Sequence, residues 1–181
     1  LGCGTGYHIN ELSNLELADR YVGVDFSSTY LEKANALCTV SKNVEFRLGK
    51  VQNLCNTLDE DFADVFLLIG ILQYLEPSEL EELSSSLLKI SKKNCSIIIK
   101  HPVYYGQQEK TITTQREGFS YTSSYKRFED IALPFLKNFD FRCMHRIFNK
   151  EEFTDEEYST LDSIKMSQQN IIVFDRNNSQ N

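Results

Sequence analysis

Gly2-Cys3-Gly4-Thr5-Gly6 opens the chain and runs straight into a helix-like stretch, Tyr7 to Ser13. Glycine at every second position lets a backbone take positive φ and pass close to a ligand, and the free amides of a helix start can bind a polar or anionic group. Nineteen residues beyond Gly6, at the end of the strand-like run Tyr21-Val22-Gly23-Val24-Asp25, stands Asp25. A carboxylate at the carboxyl end of a strand can accept hydrogen bonds from both hydroxyls of a ribose. Loop and carboxylate together imply a nucleoside. A dinucleotide fingerprint would need glycine at position 7, where this chain has Tyr7. A nicotinamide-dependent oxidoreductase is therefore the weaker alternative, and a noncatalytic nucleoside-binding module is a second.

Outward from this stretch, apolar periodicity alternates between short β-like runs and helical spacing, the pattern of an open α/β sheet with helices on both faces. After Asp25, Thr29 and Glu32 have capping-box spacing, and Leu31, Ala34 and Leu37 then share one helix face. Val44 to Leu48 alternates as a strand. Val65 to Ile71 is continuously apolar, as expected of a central parallel strand covered on both sides. Glu76-Pro77-Ser78-Glu79 starts a helix carried on by Leu80, Leu83, Leu87 and Ile90. Cys95 to Lys100 returns to strand, and Pro102, with no amide to give a ladder, is expected to end it.

A polar, tyrosine-rich loop is expected from Val103 to Tyr125, then a helix through Phe128, Ile131, Phe135 and Phe139, kinked by Pro134. Phe141 to Phe148 and Asn170 to Phe174 are the last strand candidates, with Lys150 to Asp162 as an acidic helical excursion between them. Residues 1–176 form one domain and Asn177 to Asn181 a polar tail.

The 181 residues hold 26 acidic against 19 basic side chains, net charge −7. With no dense basic stripe, binding to phosphate backbones lacks its usual driving force, so nucleic acid is not expected as a partner. No apolar run approaches the roughly 18 residues of a membrane span. Five scattered cysteines without C-x-x-C spacing argue against a disulfide framework or a zinc site and suit a reducing cytoplasm. No metal-ligand spacing appears among the acids at 151–157, which read as a solvated face, and the oligomeric state leaves no trace.

Three motifs in register, Leu1-Gly2-Cys3-Gly4-Thr5-Gly6, Val22-Gly23-Val24-Asp25-Phe26-Ser27, and Ala63-Asp64-Val65 through Leu72-Gln73-Tyr74-Leu75, make the chain resemble the class I S-adenosylmethionine-dependent methyltransferases. The resemblance implies a Rossmann-like, doubly wound, mostly parallel seven-stranded sheet whose last strand is antiparallel. It implies S-adenosylmethionine as cofactor, with Gly2, Gly4 and Gly6 along its amino acid and ribose part, Asp25 on the ribose hydroxyls and Phe26 beside the adenine; Cys3, Thr5 and Ile69 are counted in the same lining. Where the family usually carries an acidic residue for the adenine amine, this chain has Gly49-Lys50, so adenine recognition falls to backbone at Lys50 and Val51 or is weakened. The family's first strand and the helices before it have no counterpart ahead of Leu1, so an upstream segment is expected. Without it, buried polar groups left unpaired would cost about 1 to 3 kcal/mol each.

For the reaction, methyl transfer to an oxygen or nitrogen of a small-molecule acceptor is expected. His101, placed where a strand ends, is the candidate base for an acceptor hydroxyl; otherwise it is a strand-end histidine bonded to backbone. Tyr74, Tyr104, Tyr105 and Arg116 are the candidate acceptor contacts, since aromatic faces attract cations and stack on rings, although such rings equally cover core edges. His8 and His145 are read as structural.

Overall fold

The computed structural model describes residues 1–38, 43–104, 110–116, 119–147 and 167–176. In chain order the elements are α1 (Tyr7–Asn14), β1 (Tyr21–Asp25), α2 (Ser28–Leu37), β2 (Val44–Leu48), β3 (Ala63–Ile69), α3 (Pro77–Ile90), β4 (Ser91–Tyr104), β5 (Lys110–Arg116), β6 (Phe119–Tyr125), α4 (Phe128–Leu136), β7 (Phe139–Arg146) and β8 (Ser167–Arg176). Two short 3₁₀ turns, Val51–Asn56 and Leu72–Tyr74, follow β2 and β3.

β1 and β2 pair in parallel, from Tyr21 opposite Val44 to Asp25 opposite Leu48. A second set runs β3-β4-β8-β7. Within it β3 and β4 are parallel, while β8 is antiparallel to both β4 and β7. The antiparallel last strand is thus as expected, whereas these two sets together hold six strands among the described residues, one fewer than seven. Residues 1–3 connect the two sets. The Leu1 nitrogen donates to the Leu67 carbonyl on β3 (2.7 Å), and the Cys3 amide donates to the Val24 carbonyl on β1 (3.1 Å).

The core follows from register. Phe66 lies opposite Ile97, Leu68 opposite Ile99, Ile97 opposite Phe174 and Ile99 opposite Ile172, so these six share one face. All are buried, together with Leu80, Leu83 and Leu87 of α3 and Ile131 and Phe135 of α4. Phe135 stacks on Phe174 with ring centroids 5.3 Å apart. The helix spacing read from Leu80 to Ile90 therefore marks the face that seals the sheet, and α3 begins as its sequence directs, the Glu79 carboxylate accepting from the Glu76 amide at 2.8 Å. No helix among the described residues is long and apolar enough to cross a membrane.

Several expectations are corrected. β3 is not covered throughout, since Val65 is half exposed. β4 does not end at Pro102 but continues to Tyr104, with Pro102 opposite Gln169 of β8. The supposed loop from Val103 to Tyr125 contains the antiparallel hairpin β5-β6, from Lys110 opposite Tyr125 to Arg116 opposite Phe119. Its alternating threonines carry it: Thr111 meets Ser124 and Thr113 meets Thr122 through side-chain hydroxyls 3.1 Å apart. Phe139 opens β7 rather than closing α4, which ends two residues past Pro134. The α2 cap is Ser27, whose hydroxyl accepts from the Tyr30 amide, rather than Thr29. The excursion at 150–162 and the tail at 177–181 lie outside the described residues.

Candidate functional site

The opening loop is built to bend. Gly2, Gly4 and Gly6 all have positive φ, +63°, +53° and +79°. The Gly6 amide closes a turn onto the Cys3 carbonyl at 3.0 Å, and Gly6 caps α1. A Cβ on Gly6 would stand 2.8 Å from the Ala34 Cβ, so the absent side chain is what lets the loop sit against α2. Around the position a Gly4 Cβ would take, no atom lies within 4 Å. The loop therefore presents bare backbone to an open cradle at Gly4. Gly2 faces the other way, toward the turn after β3, where the Ile71 side chain occupies the space a Cβ would need.

Asp25 joins the pieces. The Gly4 amide donates to its Oδ2 at 2.8 Å, the Ser27 amide donates to its Oδ1 at 3.0 Å, and the Gly49 amide donates to its backbone carbonyl at 2.9 Å. One buried aspartate thus sets the loop, the turn into α2 and the end of β2 relative to one another. Each carboxylate oxygen has used one hydrogen bond and keeps acceptor capacity for another. Phe26, next in the chain, is 74% exposed, and Lys50 is exposed at the end of β2. Val51 opens the 3₁₀ turn and packs partly on the core. Thr5 is exposed at the loop tip, Cys3 half-buried within it, and Ile69 half-buried at the end of β3. Burial, and next the Asp25 charge, push the Cys3 thiol up to about 11. At neutral pH it is a protonated thiol, a lining group and not a nucleophile.

This arrangement fits an adenosyl amino acid: an open glycine cradle for the close approach, and a carboxylate with spare lone pairs for the hydroxyls of a ribose. The sequence singles out Asp25 but not two neighbours of the site, Ser27 and Ile71. Ser27 was legible as an Asx turn, since Asp25 bonds the amide two residues on. Ile71 had no local signal, because its contact with Gly2 spans most of the site.

The acceptor candidates fare differently. Tyr74 ends the 3₁₀ turn after β3 and is half exposed. Tyr104 ends β4, its amide donating to the Lys126 carbonyl at 2.9 Å. Arg116 lies in β5, and Tyr105 is outside the described residues. His101 does not stand at a strand end; it is inside β4, opposite Asn170 of β8, and fully buried. Neither ring nitrogen has a hydrogen-bond partner among the described residues. Burial, reinforced by the nearby Lys126 ammonium, lowers its pKa to about 3. His8 lies exposed on α1 and His145 exposed on β7.

The sequence profile described as "Methyltransferase domain" matches residues 1–94. No curated protein matches. Among solved structures, the PH0226 protein of Pyrococcus horikoshii OT3 is 18% identical with a TM-score of 0.74, the match covering 97% of this chain and 79% of that one. A SAM-dependent methyltransferase from Methanosarcina mazei is 11% identical with a TM-score of 0.76, covering 97% and 89%. The N-methyltransferase NodS from Bradyrhizobium japonicum WM9, solved with S-adenosyl-L-homocysteine, is 11% identical with a TM-score of 0.67, covering 97% and 74%. These share the fold, and the profile match across the glycine loop, Asp25 and β3 makes the chain a member of the methyltransferase domain family.

Proposed function

We propose that this methyltransferase takes its methyl group from S-adenosylmethionine and delivers it to an oxygen or nitrogen of a small molecule. The observation that carries the reading is the hydrogen bond from the Gly4 amide to Asp25 Oδ2, which couples the cradle to the carboxylate. When bound, the cofactor would supply an electrophilic methyl on a sulfonium, given up to the acceptor with S-adenosylhomocysteine as the leaving group. Gly2, Cys3, Gly4, Thr5 and Gly6 line the amino acid and ribose part, Asp25 holds the ribose hydroxyls, and Phe26, Lys50, Val51 and Ile69 border the adenosyl group. What the chain contributes is mainly position, since the donor is already activated.

Tyr74, Tyr104, Tyr105 and Arg116 form the acceptor side in this reading. A base is needed only by an acceptor that must shed a proton. His101 takes that role only in a form that brings its nitrogens to the crevice, because the enclosed imidazole, its pKa lowered to about 3 by burial, is too weak a base to take a proton at neutral pH. The free state of the five cysteines supports a reducing, cytoplasmic setting. Calorimetry with S-adenosylhomocysteine tests the assignment: binding by the native chain and its loss in Asp25→Ala are expected, and undiminished binding by the variant contradicts it.

A further inference from the structure

Gln73 is the side chain whose chemistry the fold leaves incomplete beside the glycine loop. It sits in the 3₁₀ turn Leu72–Tyr74, and its Nε2 donates to the Gly70 carbonyl at 2.8 Å. That bond fixes the amide's orientation. A carbonyl can only accept, so the nitrogen must face Gly70 and the oxygen must point away. Oε1 is buried and has no hydrogen-bond partner among the described residues. Gly70 itself is pinned, at φ +65°, with its amide donating to the Lys100 carbonyl at 3.2 Å, so the side chain cannot be relieved by a small shift of its anchor. A buried acceptor without a donor costs about as much as a lost hydrogen bond, which makes such an atom a candidate ligand contact.

The location narrows the ligand. Ile71, two residues before Gln73, packs into the space beside Gly2, so this turn forms the wall of the loop opposite the one that Asp25 holds. If Asp25 takes the ribose, the amino acid end of the cofactor is the part that comes toward the Gly2 side. That end carries a carboxylate, which needs donors, and an ammonium, which has only donors to give. An orphaned acceptor matches the ammonium.

We propose that Gln73 Oε1 accepts a hydrogen bond from the α-ammonium group of the bound cofactor, Gly70 serving as the clamp that aims it. This rests on the cofactor reading above and adds a residue to it. Binding supplies the donor that the oxygen lacks.

The test compares two probes, S-adenosylhomocysteine and 5′-methylthioadenosine, which keeps the adenosyl group and lacks the amino acid. In Gln73→Met, calorimetry is expected to show affinity for S-adenosylhomocysteine falling about tenfold or more, with that for 5′-methylthioadenosine changed by less than about twofold. Equal loss for both probes, or no loss for either, overturns the proposal. Should the variant not fold, the native chain decides: the Gln73 side-chain amide signals in a ¹⁵N spectrum shift on adding S-adenosylhomocysteine but not 5′-methylthioadenosine if the contact exists, and stay in place with both if it does not. A native chain that binds neither probe overturns the cofactor reading itself, and this proposal with it.

Discussion

The Gly4 amide stands 2.8 Å from Asp25 Oδ2, across 21 residues of sequence. Loop and carboxylate are therefore one device, since whatever places the aspartate also sets the curvature of the cradle. The second carboxylate oxygen is tied to Ser27. Both bonds run from backbone donors to an anion, the stronger class of hydrogen bond.

From that coupling, Asp25→Ala is expected to lose cofactor binding by about a hundredfold or more and stability by about 2 to 4 kcal/mol, because two buried amides lose a charged acceptor together. Asp25→Asn presents one oxygen and one nitrogen, so it can satisfy only one of the two amides. It should fall between the native chain and the alanine variant in both calorimetry and urea unfolding. An asparagine variant equal to the native chain would show that the charge contributes nothing.

The glycines separate packing from binding. Gly6→Ala meets Ala34 and a left-handed backbone at once, and should destabilise by about 2 to 4 kcal/mol in urea unfolding. Gly4→Ala faces only the backbone term of about 1 to 2 kcal/mol, since its Cβ enters open space. Its main effect is expected on S-adenosylhomocysteine affinity, because the new methyl fills the cradle. Gly4→Ala binding as tightly as the native chain would remove the cradle from the account.

His101 gives a pH dependence whose sign is fixed. Its folded pKa of about 3 lies below the ordinary histidine value, so between about pH 6.5 and 3 the unfolded chain binds a proton that the folded chain refuses. Stability from this residue is complete above that window and falls by up to about 1.4 kcal/mol per pH unit on acidification. Replacing the ring removes the slope: His101→Leu should show a flatter change in urea midpoint between pH 6 and 4 than the native chain, over about that range. Parallel profiles would mean that the imidazole is already accessible to protons.

How much of this was legible in the sequence depends on the range of the signal. The glycine loop, β1, Asp25, β2 and α3 were readable because their cues are local: alternate glycines, an apolar run closed by an acid, and leucines at helical spacing over Glu76-Pro77. Pro102 misled because its missing amide is tolerated where β4 pairs with β8, a partner 67 positions away at Gln169. The hairpin β5-β6 was hidden by hydroxyl and tyrosine side chains that read as loop, although Thr111 and Thr113 alternate with their cross-strand partners. The enclosure of His101 needs β4, β8 and Lys126 brought together, and no window of sequence contains all three. For the same reason Asp25 was readable at the end of β1 while its bond to Gly4 was not foreseen.

The most direct test of the central claim is a crystal structure of the chain with S-adenosylhomocysteine. It is expected to show both ribose hydroxyls within hydrogen-bond reach of the Asp25 carboxylate, with the homocysteine end running along Gly4 toward Gly2. A nucleoside bound elsewhere, with the space between Gly4 and Asp25 left vacant, would contradict the account.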